Sequence, residues 1–304
     1  MLHIGEFLIS LLDRPLREIA PYMPGDVFPY FFTLEMFQRS LVAAIIVTIV
    51  AGFLGVFLII RNLSLIGDGL AHVSFGGVAV ALVVGSVNPL WYALIFSVVV
   101  SVLIYELQHR EILTGDASIA IFLTGTLALG LVVLRTGENA VTTDIEGWLF
   151  GSLLLIDSES LNLIILLCVP SIIVLALMKP ALLACTIDPL AAKVQGLPVR
   201  ALGLAFSVIT ALVVVSMVQI VGALLVTALL VTPAATAQQV ASSFKSCIIW
   251  TQFFGISSLF IGLYFSAEEN TGSGSMIALV AAIIFAVVVI TKNAYKFFTS
   301  ANNA

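Results

Sequence analysis

Charge is what this sequence has least of: Lys, Arg, Asp and Glu make up 10% of its 304 residues, against about 25% in an average soluble domain. That scarcity excludes an ordinary water-soluble globule, and no polar stretch is long enough to form an appended soluble domain. Cysteine is confined to Cys168, Cys185 and Cys247, isolated and without CxxC or Cys/His spacing. A disulfide framework and a thiolate metal cage are therefore excluded, and the three read as small buried residues. No Gly-Lys dipeptide occurs, so the chain has no P-loop to cradle ATP. H-E-x-x-H and G-x-S-x-G are absent, and Ile66-Gly67-Asp68 lacks the earlier glycine of the G-x-G-D run in intramembrane aspartyl proteases. An intramembrane hydrolase is set aside on those grounds. The net charge of −5 supplies no basic footprint for nucleic acid. The opening MLHIGEFLISLLDRPLREIAPYMPGD has neither a basic n-region nor a clear A-x-A site, so a cleaved signal peptide is not expected. It reads as a short amphipathic helix lying at a membrane interface.

What the sequence has in abundance is long apolar runs, with 61% hydrophobic residues. Runs of about 17 or more residues are long enough to span the ~30 Å hydrocarbon core as helices. They fall near 37–60, 66–86, 90–108, 116–135, 161–179, 199–217, 221–240, 247–265 and 275–291. The only break signal between the sixth and seventh is Ser216-Met217-Val218-Gln219 with Gly222 beyond, so the expectation is an all-α polytopic bundle of eight or nine spans. Three units follow: an N-terminal interfacial segment (1–35), a transmembrane domain (36–292) and a short cytoplasmic tail (293–304). Orientation follows the basic residues. With the first span running inward, Arg61, Arg110, Lys179, Lys193, Arg200, Lys245, Lys292 and Lys296 face the cytoplasm, and only Arg14, Arg17, Arg39 and Arg135 stay outside. Glu138, Asp144, Glu146, Asp157, Glu159, Glu268 and Glu269 all fall outside. The N-terminus is then outside, the C-terminus inside and the number of crossings odd.

Two connections carry more than polarity. In the outer loop from Arg135 to Ser160, the run Trp148 to Ile156 is too short to span and suits an interfacial or re-entrant helix. The loop's acidic residues either attract cations and meet an external protein, or are simply what remains outside when basic residues are kept inside. The inner loop KPALLACTIDPLAAKVQGLPVR holds a short helical pattern: Asp188 caps it, Pro189 occupies its first position, and Gly196 with Pro198 stops it. It is either a docking surface or a plain connector.

The segment Arg61 to Ala81, RNLSLIGDGLAHVSFGGVAVA, places Asp68 and His72 four residues apart, on one face of a helix. An ionisable side chain in lipid is costly and marks a functional site by default. Gly67, Gly69, Ala71, Ser74, Gly76, Gly77 and Ala79 around the pair let neighbouring helices approach closely. The bland alternative is a structural pair bonding two helices. As metal ligands, a carboxylate and a neutral imidazole suit Zn²⁺ and tolerate Mn²⁺ or Fe²⁺. Asp116 is a candidate further ligand or an inner-surface helix cap, and His3 and His109 are expected to be solvated.

Three segments together resemble the permease subunits of the zinc/manganese/iron family of ABC importers. They are RNLSLIGDGLAHVSFGGVA, DPLAAKVQGLPVRAL and VGALLVTALLVTPAATA, with DIEGWLFGSLL a weaker fourth; the resemblance covers roughly 36–292. It implies the metal-family permease fold, a multi-pass cell-membrane location, and a non-enzymatic transport subunit for a divalent metal. Asp68 and His72 match the positions that hold the ion. Asp188, Pro189, Ala191, Ala192, Lys193 and Gly196 match the coupling helix that docks on a separate ATPase subunit. The implied partners are that ATPase, an external metal-binding protein, a second copy of the permease and the lipid bilayer; no cofactor is held permanently. H-V-S-x-x-G-V-A is closer to zinc-type than to manganese-type members. Gly69 departs from the Ala or Thr of many relatives and is expected to loosen the helix there. A secondary transporter exchanging protons through Asp68 and His72 is the alternative function.

Overall fold

The computed structural model describes residues 4–86, 88–136, 151, 156–223 and 225–302, the side chains from 296 on excepted. Among them every regular element is helical: α1 (Ile4–Ile19), a 3₁₀ turn (Ala20–Tyr22), α2 (Tyr30–Thr33), α3 (Glu35–Ile60), α4 (Ile66–Val84), α5 (Pro89–His109) and α6 (Gly115–Thr136) come first. After them run α7 (Ser158–Ile187), α8 (Pro189–Val194), α9 (Val199–Val221), α10 (Val226–Leu230), α11 (Thr232–Val240), α12 (Phe244–Glu268) and α13 (Ser273–Asn302). Eight of these are long and apolar enough to cross a membrane: α3, α4, α5, α6, α7, α9, α12 and α13. The chain is a multi-pass membrane protein.

The bundle is built around α3, whose Leu41, Val47, Leu54 and Phe57 are fully enclosed. It packs against α7, α9 and α12. Beside it α4 is clasped by α5 and α6. Between helices in lipid, association rests on close packing rather than on expelled water, so small residues decide who can touch whom. A Cβ on Gly77 would stand 2.6 Å from the Tyr92 carbonyl oxygen of α5, and one on Gly69 would stand 2.6 Å from a methyl of Ile119 on α6. Helix α4 runs unbroken through Gly69. The expectation of a loosened helix is corrected: the missing side chain there admits α6. Outward faces such as Trp91, Ile95, Val99 and Leu103, one helical turn apart on α5, stay exposed to the lipid.

The charges sort to two ends. Arg200 donates to Glu106 through Nε at 3.1 Å and Nη2 at 2.6 Å, Arg110 joins the same carboxylate, and Lys292 reaches Gln239 at 3.3 Å. At the opposite end Glu268 accepts from the backbone N–H groups of Asp26, Val27 and Phe28 at 3.2, 3.0 and 3.0 Å, and Glu159 accepts from Asn88.

The expected seventh span, 221–240, is the main correction. The break signal at Gly222, whose φ is +85°, does end α9, but the segment beyond it is no continuous helix: it forms α10 and α11, parted at Val231. The chain still crosses the bundle there. Gly274, at the start of α13, lies against the Val221 carbonyl, and Lys292 on the same helix meets Gln239. Eighteen residues of α13 separate those two contacts, a rise of about 27 Å. The ninth crossing is thus made by two short helices.

Two further boundaries move. Helix α7 does not end at Lys179; it passes through Pro170 and Pro180 to Ile187. Residues 293–302 continue α13 as helix, there being no glycine or proline to stop it. Residues 4–35 fold onto the acidic end. Helix α1 buries Gly5 and Ile9, and the Gly5 N–H donates to Asn162 Oδ1 of α7 at 2.6 Å. Asp13 accepts from Arg17 at 2.6 Å and from Gln38 at the start of α3 at 2.9 Å. Arg17 first and Gln38 second hold the Asp13 carboxyl below its ordinary value. Phe28, Phe31 and Phe32 close the segment over α12 and α3, Phe28 lying edge-on to Tyr264 at 5.7 Å.

Candidate metal site

Helix α4 carries Asp68 in its first turn and His72 one turn later, so both half-buried side chains leave the same face. The structure brings a third group to them. Thr227, on α10, donates its hydroxyl proton to Asp68 Oδ1 at 2.6 Å. His72 Nδ1 is enclosed and has no hydrogen-bond partner. A buried ring nitrogen left without one costs about 1–3 kcal/mol, so it needs an explanation; a metal ligand facing its cargo is one. No third His, Cys, Asp or Glu joins the pair among the described residues. The donor set is one carboxylate, one imidazole and one hydroxyl, rich in oxygen and free of thiolate. Cys168, Cys185 and Cys247 are buried and unpaired, as expected from their isolation.

Thr227 was not legible as a partner. A polar residue within an apolar run is a signal, but threonine in helices ordinarily satisfies itself on the carbonyl four residues back, as Thr210, Thr236 and Thr251 do here. Nothing in its neighbours separates Thr227 from these.

Beneath α4, at the basic end, opens a cavity of about 890 Å³ lined by Arg61, Tyr105, His109, Asp116, Thr186 and Pro189, among others. Arg61 caps α3 there. Its Nε donates to Thr186 at 3.0 Å and its guanidinium lies 4.6 Å over the Phe206 ring. Burial lowers its pKa from the ordinary arginine value. Asp116 is exposed on this cavity wall, outside any cluster of three potential ligands. His109 is exposed, with its ring stacked on Tyr105 at 5.6 Å; His3 lies outside the described residues.

Helix α8 borders the same cavity. Asp188 Oδ1 accepts from the N–H groups of Leu190 and Ala191, both at 2.9 Å, and Pro189 opens the helix. Gly196 ends it with φ +82°, a conformation that favours glycine. Ala192 is buried against the bundle, Lys193 lies in the last turn, and Leu190 and Val194 are 77% and 88% exposed. An apolar edge held out from the end of the bundle is what a docking helix presents. At the acidic end, Asp157 caps α7 by accepting from Ser160 at 2.8 Å and Glu159 holds Asn88; these two acids have structural work. Asp144, Glu146 and the run Trp148 to Ile156 fall outside the described residues, except Gly151 and Ile156.

The profile of the ABC 3 transport family matches residues 33–292. The manganese import system permease protein ScaB of Streptococcus gordonii is 32% identical over 250 residues, covering 82% of this chain and 89% of ScaB. The manganese transport system membrane protein MntC of Listeria monocytogenes is 34% identical over 248 residues, covering 82% and 88%. Among solved structures, PsaBC from Streptococcus pneumoniae in complex with Fab aligns with a TM-score of 0.73 at 32% identity, over 83% of this chain and 90% of the matched chain. The zinc preference drawn from H-V-S-x-x-G-V-A finds no support in these relatives, two of which carry manganese in their names. The physical reason is that a carboxylate and an imidazole serve either ion.

Proposed function

This chain belongs to the ABC 3 transport family, and from its place there as a metal-ion importer permease we propose that it carries Mn²⁺ inward through a site made by Asp68 and His72. The observation that carries this reading is the pair itself: two potential ligands on one face of α4, one imidazole nitrogen enclosed without a partner, inside an otherwise apolar bundle. Oxygen-rich donors without thiolate suit Mn²⁺ better than they suit softer ions. The names of the manganese relatives point the same way. Two protein ligands and a hydroxyl make no closed tetrahedral cage, and a transport site must release what it binds.

The chain lacks a P-loop, so ATP is hydrolysed by a separate subunit. In this reading α8 docks on it through Leu190 and Val194, the basic end faces the cytoplasm, and the 890 Å³ cavity is the inner vestibule. A second copy completes the pore, an external binding protein delivers the ion at the acidic end, and α1 lies along the membrane interface. The proton-exchange alternative has no specific observation in its favour.

Elemental analysis of cells expressing the chain with its cognate ATPase and binding protein tests the reading. Wild type should accumulate Mn in preference to Zn or Fe. Asp68→Ala and His72→Ala should each lose at least about tenfold of that uptake, since loss of even a partner that orients a ligand costs about 10- to 100-fold, while reaching the membrane at normal levels. Undiminished Mn uptake in both variants would overturn it.

A further inference from the structure

Thr227, we propose, is the positioning residue of the metal site: its hydroxyl fixes the Asp68 carboxylate and so ties the ion's binding to the broken crossing. The inference rests on the reading of Asp68 as a ligand and deepens it.

Three observations carry it. The first is the bond itself, 2.6 Å from Thr227 Oγ1 to Asp68 Oδ1 across 159 residues of chain. The second is how tightly Thr227 is seated over the first turn of α4. A Cβ on Gly67, the residue before Asp68, would lie 3.3 Å from Thr227 Oγ1 and 3.0 Å from a methyl of Leu230. Gly67 and Gly55 leave the room in which α10 lies, Gly55 facing the Leu230 carbonyl. The third is that α10 has five residues, with Gly222 at φ +85° before it and Val231 between it and α11. A helix that short does not hold itself; its position is set by what it touches.

The chemistry follows from the inventory of lone pairs. A carboxylate offers about four acceptor sites. Thr227 takes one and leaves the others for a cation. Threonine in a helix has two favoured χ1 positions, and at Thr227 the hydroxyl is turned to Asp68 rather than to its own helix. Hydrogen-bond partners that orient a ligating carboxylate are worth about 10- to 100-fold in metal affinity. Because the partner here stands on a crossing that is not a continuous helix, an ion drawing on Asp68 also draws on α10. The loaded and empty sites then hold the segment from Gly222 to Val231 differently.

The test measures Mn²⁺ bound by the purified complex of the full chain with its ATPase subunit, from the loss of the free-ion electron paramagnetic resonance signal. Thr227→Val keeps the shape and removes the hydroxyl; its Kd should rise at least about tenfold. Thr227→Ser keeps the hydroxyl and should stay within about threefold of wild type, which a purely structural role for the branched methyl would not give. Thr227→Ala beside Thr227→Ser makes the same comparison without branching, so the contrast survives if the valine variant does not assemble. Wild-type affinity in the valine or alanine variant, or a serine variant as weak as either, overturns the proposal. Asp68→Ala in the same assay separates the two readings. If it binds Mn²⁺ normally, the site itself is wrong. If it fails while Thr227→Val matches wild type, only the role of Thr227 is lost.

Discussion

At the scale of single residues the site and its support are made of the smallest side chains. Gly55 is the sharpest case: a methyl group there would run into the carbonyl of Leu230, a backbone atom that cannot swing aside. Gly55→Ala should therefore destabilise the purified protein by about 1–3 kcal/mol, the usual cost of overpacking, and lower its Tm. Gly125→Ala is the matched control, because nothing lies within 4 Å of the added carbon; its effect should stay within about 0.5 kcal/mol. Equal Tm values for the two variants would show that α10 yields freely. Asp68 and His72 were legible in the sequence because charge is so rare in it that any ionisable pair inside an apolar run stands out. Thr227 was not, since hydroxyls are common in these helices and ordinarily bond to their own backbone.

At the scale of elements, the length of the apolar runs located the eight long helices, and the turn chemistry around Asp188 located α8. What they could not locate was an interruption inside an apolar run. Gly222 stands out as a break signal, but beyond it the run to Val231 is apolar apart from Thr227, and nothing in it announces that α10 and α11 are separate helices. The fifth span errs in the opposite direction: its apolar run ends at residue 179, just before Pro180, yet α7 continues through that proline. The capping of α8 gives a direct test. Asp188→Ala removes the acceptor for two N–H groups, worth about 1 kcal/mol at a helix start, in a helix of six residues that cannot form alone. Co-purification with the ATPase subunit should weaken and ATP-driven uptake should fall, with membrane levels of the permease unchanged. Unaltered co-purification would remove α8 from the docking surface.

At the scale of the whole molecule, the chain is a bundle strapped at its acidic end by residues 4–32, which precede the family match at residue 33. Glu268 holds that strap by accepting from three consecutive N–H groups, and a glutamine there has one acceptor oxygen and no charge. Glu268→Gln should speed limited proteolysis between residues 20 and 30 while leaving the bundle intact; an unchanged rate would assign the strap's hold to Phe28, Phe31 and Phe32 instead. On the proposed reading of Asp68 as a ligand, its position in the first turn of α4 bears on the ion's passage through the molecule. Aligned peptide dipoles give a helix N-terminus about half a positive charge. That field favours the carboxylate and opposes the cation that the carboxylate attracts, so the helix that presents the ligand also repels the ion from it.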